Sequence, residues 1–119
     1  MVKKIKYFTQ EKIDKIPEKN IKLYDKYLRS NIIKNKDVEK TTFNVYKNNF
    51  YHFLVFLYEN FDDMGLYDEE FFDDAVDIME EYIDFCLTTL QNNKKTINNK
   101  ISAISSFYVW SRKRKLIEK

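Results

Sequence analysis

The chain contains a single glycine, Gly65, and a single proline, Pro17, in 119 residues. The tight turns of a many-stranded β fold depend on these two residue types, so their scarcity argues against a β-sandwich or β-barrel. Apolar residues instead recur every three to four positions along several stretches, which is the spacing of amphipathic helices. The sequence therefore predicts an all-α fold, and its length fits one domain that buries about two thirds of the surface of the unfolded chain.

Four main helices are predicted, joined by short loops into one compact bundle. Their expected limits are residues 17–33, residues 39 or 40 to 59, a start between residues 68 and 74 with an end near residue 90, and residues 94–114. Pro17 suits the first turn of a helix, and Asn93 can cap the last one. Residues 1–16 are Lys-rich and are expected to form a basic arm or a short extra helix, so that residues 17–117 make up the domain.

The last predicted helix has two faces with different chemistry. One face carries Ile97, Ile101, Ile104, Phe107 and Tyr108, and the other carries Lys95, Asn98, Asn99, Ser102, Ser105 and Ser106. No acidic residue occurs from position 92 to 117, whereas an ordinary solvated helix face mixes Glu with Lys. Short amides and hydroxyls flanked by cations suit close approach to a phosphate backbone, so this pattern indicates nucleic acid as a partner.

The net charge of +2 conceals a strong segregation of charge along the chain. Residues 1–60 carry thirteen Lys/Arg and seven Asp/Glu, residues 61–91 carry eleven Asp/Glu and no Lys/Arg, and residues 92–119 carry eight Lys/Arg and one Asp/Glu. A chain of this kind can present separate faces to different partners. The carboxylates of the third helix are spaced as one exposed face, which fits either a solvated surface or a surface that docks onto a basic neighbour.

Few residues are available for metal or covalent chemistry. His52 is the only histidine and Cys86 the only cysteine, so neither a His-based metal cluster nor an internal disulfide can form. Cys86 falls on an apolar stripe and is expected to be a small buried hydrophobe rather than a catalytic partner of His52. The nine tyrosines are expected to pack in the core or an interface, because a Tyr hydroxyl without surrounding cations is a poor nucleophile. We expect no catalytic residue, no metal and no cofactor.

Targeting signals are not evident in the sequence. No apolar run has the length of a signal peptide or a membrane-spanning helix. A lone cysteine fits a reducing compartment. The sequence thus predicts a soluble, cytoplasmic protein that does not enter a membrane.

Three segments in order resemble the core-binding domain of tyrosine recombinases of the phage-integrase type, a SAM-like helical domain. They are TTFNVYKNNFYHFLVFL at residues 41–57, DIMEEYIDFCL at 77–87 and KKTINNKISAISSFYVWSRKRKLI at 94–117. Each segment alone is weakly specific, but the three in this order and spacing are fairly specific, and the similarity covers nearly the whole chain. In that family the domain grips one face of the recombination-site duplex, while a separate C-terminal domain grips the other and breaks and rejoins the strands.

The resemblance implies that the second and fourth helices lie against duplex DNA. Carried over by position, the contacting residues would be Thr41, Thr42, Asn44, Lys47 and Asn48 from the second helix, and Lys94, Lys95, Thr96, Asn98, Asn99 and Ser102 from the fourth. The basic residues Lys100, Arg112 and Arg114 are expected to contact phosphates as well. Any sequence preference is expected from the asparagines, since Asn can pair with adenine in the major groove.

The resemblance also implies partners beyond this sequence. The family's Tyr nucleophile and its surrounding Arg, Lys and His residues belong to the C-terminal domain, so this chain is expected to be a fragment of a longer recombinase. Its expected partners are duplex DNA, its own catalytic domain and other recombinase protomers in a synaptic complex. The alternative is a helical protein–protein interaction module whose acidic third helix is the working surface and whose basic ends only balance charge.

Overall fold

The computed structural model describes residues 8–32 and 40–117, and at residues 31, 32 and 40–43 it describes the backbone alone. Every regular element in this part of the chain is helical, which confirms the all-α prediction. The α-helices are α1 (Gln10–Ile13), α2 (Glu18–Tyr27), α3 (Lys40–Phe61), α4 (Glu69–Asp73), α5 (Ala75–Asp84) and α6 (Lys94–Lys113). A π-helical turn extends α2 over Leu28–Ile32, and another extends α5 over Phe85–Thr89.

Three of the four predicted helices have nearly the expected limits. The prediction is best for α6, where Asn93 caps the helix and its side-chain oxygen accepts a hydrogen bond from the Thr96 N–H at 2.8 Å. The third predicted helix is instead broken at Asp74, whose backbone angles of φ −108° and ψ 13° separate α4 from α5. The sequence pattern does not predict this break, because Asp74 lies inside an unbroken run of helix-compatible residues.

The predicted N-terminal arm contains the short helix α1. The Thr9 hydroxyl caps it by accepting a hydrogen bond from the Lys12 N–H at 3.3 Å. The Lys12 ammonium also lies 3.6 Å from the Glu59 carboxylate, which ties α1 to α3. Residues 1–7 of the predicted arm lie outside the described residues.

The core is built around α3, whose middle turns are buried on all sides. Five consecutive side chains there are buried: Phe53, Leu54, Val55, Phe56 and Leu57. α2 and α6 pack against the preceding turn, where the Tyr24 ring stacks on Phe50 at a centroid distance of 4.0 Å and Phe107 lies 5.1 Å from the same ring. Aromatic contacts of this kind hold α2, α3 and α6 as one packed unit.

A buried asparagine fastens the loop between α3 and α4 to α2. The Asn20 side chain is 1% exposed; its amide donates to the Met64 carbonyl at 3.1 Å, and its oxygen accepts from the Leu66 N–H at 2.9 Å. In the same loop, the Gly65 N–H donates to the Asp68 carboxylate at 2.7 Å. A Cβ atom at Gly65 would come within 2.7 Å of that carboxylate, so the close approach explains the only glycine of the chain.

Replacing Asn20 with alanine is expected to destabilise the fold by about 2–4 kcal/mol. The Leu66 N–H and the Met64 carbonyl would both remain buried without a partner. Urea unfolding monitored by circular dichroism measures the difference. Asn99→Ala is the matched control, because Asn99 is exposed on α6 and its removal should change stability by less than about 0.5 kcal/mol. Equal stability of the two variants would show that the loop does not depend on Asn20.

Some side chains lie on the opposite side of their helix from the prediction. The sequence pattern places Val76 and Tyr46 on apolar faces, but they are 72% and 44% exposed. On α5 the core side is set by Ile78 and Tyr82, and Val76 lies about 200° around the helix from Ile78, so it faces solvent. Tyr51 follows Asn44 and Asn48 at helical spacing, which predicts an outward position, but it is buried because α2 covers it through the Tyr24 ring.

Candidate nucleic-acid interface

α6 presents a continuous polar face to solvent. The residues exposed along it are Lys94, Lys95, Asn98, Asn99, Ser102, Ser105, Ser106, Val109, Arg112 and Lys113. Its buried residues include Ile97, Ile104 and Phe107, as the helical spacing predicts. The helix carries no carboxylate, so this face combines amides, hydroxyls and cations. Such a surface can approach phosphates closely without like-charge repulsion.

The first turn of α6 places two lysines at a helix N-terminus. Lys94 and Lys95 are exposed there, and no acidic residue accompanies them. A helix N-terminus carries a partial positive charge, so cations at this position are unfavourable and anions are favourable. The arrangement is therefore poor for the stability of the free helix and well suited to binding a phosphate.

Lys100 does not belong to this face, and its predicted phosphate contact is wrong. The residue is 6% exposed, because position 100 falls on the same side of α6 as the buried Ile97 and Ile104. Its ammonium donates to the Asn92 side-chain oxygen at 2.7 Å. Burial lowers the pKa of Lys100, although the nearby Cys86 opposes that shift. Lys100 thus anchors the start of α6 to the preceding loop.

The N-terminal half of α3 provides a smaller polar surface. Asn44 and Asn48 are exposed, and the half-buried Lys47 holds its ammonium 5.4 Å from the Tyr51 ring centroid. Thr41 and Thr42 belong to the first turns of α3, but their side chains lie outside the described residues. Phe50, two residues beyond Asn48, packs directly on α6, so the two helices with predicted DNA contacts are packed neighbours.

The structure brings Arg114 together with cations that the sequence pattern does not single out. A cleft of about 510 Å³ lies between α2 and the end of α6, and its lining residues are Lys22, Asp25, Lys26, Arg29, Ser30 and Arg114. The Arg114 guanidinium donates to the Ser30 hydroxyl and lies 5.7 Å from the Trp110 ring. The basic residues of α2 do recur at helical spacing, but without the packing of α2 beside α6 this pattern indicates only a solvated face.

The other flank of α6 borders an apolar groove of about 340 Å³. Its lining residues are Phe71, Phe72, Ala75, Met79, Ile101, Ile104, Ser105, Tyr108 and Arg112. The carboxylates of Asp73, Asp77 and Glu80 are exposed on the adjoining helices α4 and α5. α6 therefore lies between a cationic cleft on one flank and an acidic pair of helices on the other.

A partly buried polar pair joins α3 to α5. His52 Nδ1 lies 3.2 Å from the Tyr82 hydroxyl, and the imidazole stacks against Phe8. Burial, together with the charges of Lys100 and Lys12, lowers the pKa of His52 from 6.5 to about 4. The imidazole is therefore neutral at physiological pH.

The described residues do not assemble a metal site. No group of three or more His, Cys, Asp or Glu side chains among them is arranged to hold a metal ion. Cys86 is fully buried, and burial raises the pKa of its thiol. A thiol of raised pKa is mostly protonated at neutral pH and so is a weak nucleophile.

No family model matches the sequence, and no curated protein or solved structure shows a significant match to it. Within the described part of the chain, no helix is both long enough and apolar enough to cross a membrane. The candidate binding surfaces of the chain are the α6 face and the basic cleft beside it.

Proposed function

We propose that this chain is a DNA-binding domain that holds duplex DNA against the polar face of α6 and the first half of α3. The main support for this proposal is the pair of cations at the start of α6. Lys94 and Lys95 stand where the helix dipole disfavours positive charge by about 0.3–1 kcal/mol each, and a bound phosphate would reverse that penalty. Ammonium groups and helix N–H groups converging on one anion are a common way to bind a nucleic-acid backbone.

The exposed amides along the same face support contacts to the bases. Asn98 and Asn99 follow the two lysines by one helical turn, and Ser102 follows by a second. An α-helix fits the major groove, where Asn can form two hydrogen bonds with adenine. Lysines contribute affinity for any sequence, whereas these asparagines would contribute sequence preference.

The resemblance to tyrosine recombinases defines the biological role within this proposal. The chain acts as the core-binding half of a clamp on the recombination site, in the cytoplasm. Strand breakage and rejoining belong to a C-terminal catalytic domain of the parent protein, and other protomers join the complex during recombination. The chain itself positions DNA and supplies no catalytic residue.

Replacing both Lys94 and Lys95 with alanine is expected to weaken binding to all duplexes alike. Because each phosphate contact contributes about 0.9 to the dependence of log K on log salt concentration, that slope should fall by about two. Fluorescence anisotropy with a mixed-sequence duplex, measured across a salt series, gives both quantities.

Two control variants are needed. One distinguishes the loss of Lys94 and Lys95 from a general loss of positive charge, and the other distinguishes phosphate contacts from base contacts. Lys15→Ala with Lys19→Ala removes two cations that already pair with Glu11, Asp63 and Asp68, and it should leave the slope unchanged. Asn98→Ala should change discrimination between sites and not the slope. A Lys94/Lys95 double variant that binds like the wild type at low salt would exclude the α6 face.

The apolar groove favours a second candidate function, a protein–protein interaction module. Ala75 and Met79 line the groove, and the exposed Val76 and the carboxylates of Asp77 and Glu80 lie on the same helix. An amphipathic helix with basic edges would complement such a surface. Absence of duplex binding at low ionic strength would favour this function over the first.

A further inference from the structure

The cleft between α2 and α6 gathers positive charge from two helices. Lys22, Lys26 and Arg29 approach it from α2 and its π-helical extension, and Arg114 approaches from the last turn of α6. Single π-helical turns occur frequently at functional sites, and this one contributes both Arg29 and Ser30 to the cleft lining.

The Arg114 guanidinium is held in place before any ligand arrives. It donates to the Ser30 hydroxyl and lies over the indole of Trp110, a favourable contact for a cation. The helix end that carries it is also fixed, because the Leu116 N–H donates to the Ser111 carbonyl at 3.0 Å. A guanidinium fixed on one side keeps its remaining N–H groups available to donate to the oxygens of an anion such as phosphate.

The positive charge in the cleft exceeds what its surroundings neutralise. Lys22 lies 3.4 Å from the Glu18 carboxylate, but Lys26, Arg29 and Arg114 form no ion pair with another described residue. The C-terminal ends of α2 and α6 each contribute about half a negative charge, and Asp25 adds a full one. Together with the Glu18 carboxylate these amount to about three negative charges against four cations, so an excess of about one positive charge remains.

A continuous path joins the cleft to the polar face of α6. A shallow depression lined by Ser105, Ser106, Val109, Trp110 and Lys113 runs across that face. Trp110 belongs to the depression and also contacts Arg114 of the cleft. On the other flank of α6, the carboxylates of α4 and α5 would repel a phosphate backbone. Electrostatics therefore directs a duplex on α6 toward α2.

We propose that the α2–α6 cleft binds a phosphate of the DNA backbone, with Arg29 and Arg114 as its direct ligands. α2 then becomes a third DNA-contacting helix, beside α3 and α6. This inference rests on the proposed function, since it extends the DNA path of the α6 face. Arginine presents several N–H groups in a planar fork that matches the phosphate oxygens, so each residue can donate two hydrogen bonds.

The first test removes the two guanidinium groups from the full chain. Arg29→Gln with Arg114→Gln should lower affinity for a mixed-sequence duplex about tenfold at 0.1 M salt and reduce the salt slope by about one, since both arginines are proposed to contact the same phosphate. Lys15→Gln with Lys19→Gln makes the same change in net charge away from the cleft and should bind like the wild type. Both variants should keep the wild-type helical content, measured by circular dichroism, because all four side chains are exposed.

A second readout comes from Trp110, the only tryptophan of the chain. Its fluorescence should change on saturation with duplex in the wild type and in the Lys94→Ala, Lys95→Ala variant. The change should be smaller in the Arg29→Gln, Arg114→Gln variant, and a residual change is expected because Trp110 also lines the depression on the α6 face. Inorganic pyrophosphate, titrated at constant ionic strength, tests whether a free phosphate compound is the ligand instead.

The outcomes separate this inference from the proposed function. Duplex binding with an unchanged salt slope in the arginine variant would overturn the cleft as a DNA site and leave the α6 face standing. A Trp110 response to pyrophosphate but not to duplex would also overturn it. If the wild-type chain does not bind duplex at low salt, the proposed function fails and the inference fails with it.

Discussion

Replacing Phe107 with alanine is expected to lower the free energy of unfolding by about 3–5 kcal/mol. The side chain is fully buried and touches aromatic rings from α2, α3, α6 and the loop before α4. Its ring neighbours include Phe50 at 5.1 Å, Tyr27 at 5.7 Å and Tyr67 at 5.9 Å. No single neighbour can fill the space, because each is held by contacts to other helices.

The loss would be a large part of the total stability, since domains of this size are stable by only about 5–15 kcal/mol. Urea unfolding monitored by far-ultraviolet circular dichroism gives the difference. Val109→Ala is the matched control on the same helix, because Val109 is 40% exposed and should cost less than about 1 kcal/mol. A Phe107→Ala variant as stable as the Val109→Ala variant would show that the packing of α6 in the core does not depend on the Phe107 ring.

Acidification from pH 7 to pH 4 is expected to destabilise the fold by about 3 kcal/mol through His52 alone. The pKa of His52 is about 4 in the folded protein and 6.5 in the unfolded chain, and each pKa unit corresponds to about 1.4 kcal/mol. Between these two values the unfolded chain binds more protons, so stability rises with pH. The contribution is complete above pH 6.5 and is lost as the pH falls toward 4.

The comparison of wild type with His52→Gln isolates this effect. Glutamine can keep a hydrogen bond to the Tyr82 hydroxyl but does not titrate, and all other residues are the same in both proteins. The difference in unfolding free energy between the two proteins should therefore shift by about 3 kcal/mol between pH 7 and pH 4. Parallel stability curves across this range would exclude His52 as the titrating group.

Helical spacing was sufficient to predict the faces of α6. A regular advance of 100° per residue over the twenty residues of Lys94–Lys113 separates apolar from polar positions, and the Asn93 cap sets the start. The same reasoning failed for Val76, because the apolar pattern alone did not show that Ile78, about 200° away around α5, is the residue that faces the core. For Lys100 the spacing itself indicates the buried side of α6, and the long side chain there donates to Asn92 instead of reaching solvent.

The cleft could not be predicted, because its cations are distant in the sequence. Arg29 and Arg114 are separated by most of the chain, and only the packing of α2 against α6 brings them to one cleft. Tyr27 and Phe107 make that packing contact, with ring centroids 5.7 Å apart. The spacing of apolar residues predicts which face of a helix is buried, but it does not predict which other helix packs on that face.

The start of α6 is fixed by bonds that do not involve any ligand. The Asn92 N–H donates to the Cys86 carbonyl at 2.9 Å, and the Asn92 side chain accepts from the Lys100 ammonium at 2.7 Å. The backbone that carries Lys94 and Lys95 is therefore ordered in the free protein, and binding would cost little conformational entropy there. Preorganisation of this kind makes the association rate depend on diffusion and electrostatic attraction rather than on the folding of a segment at the DNA surface.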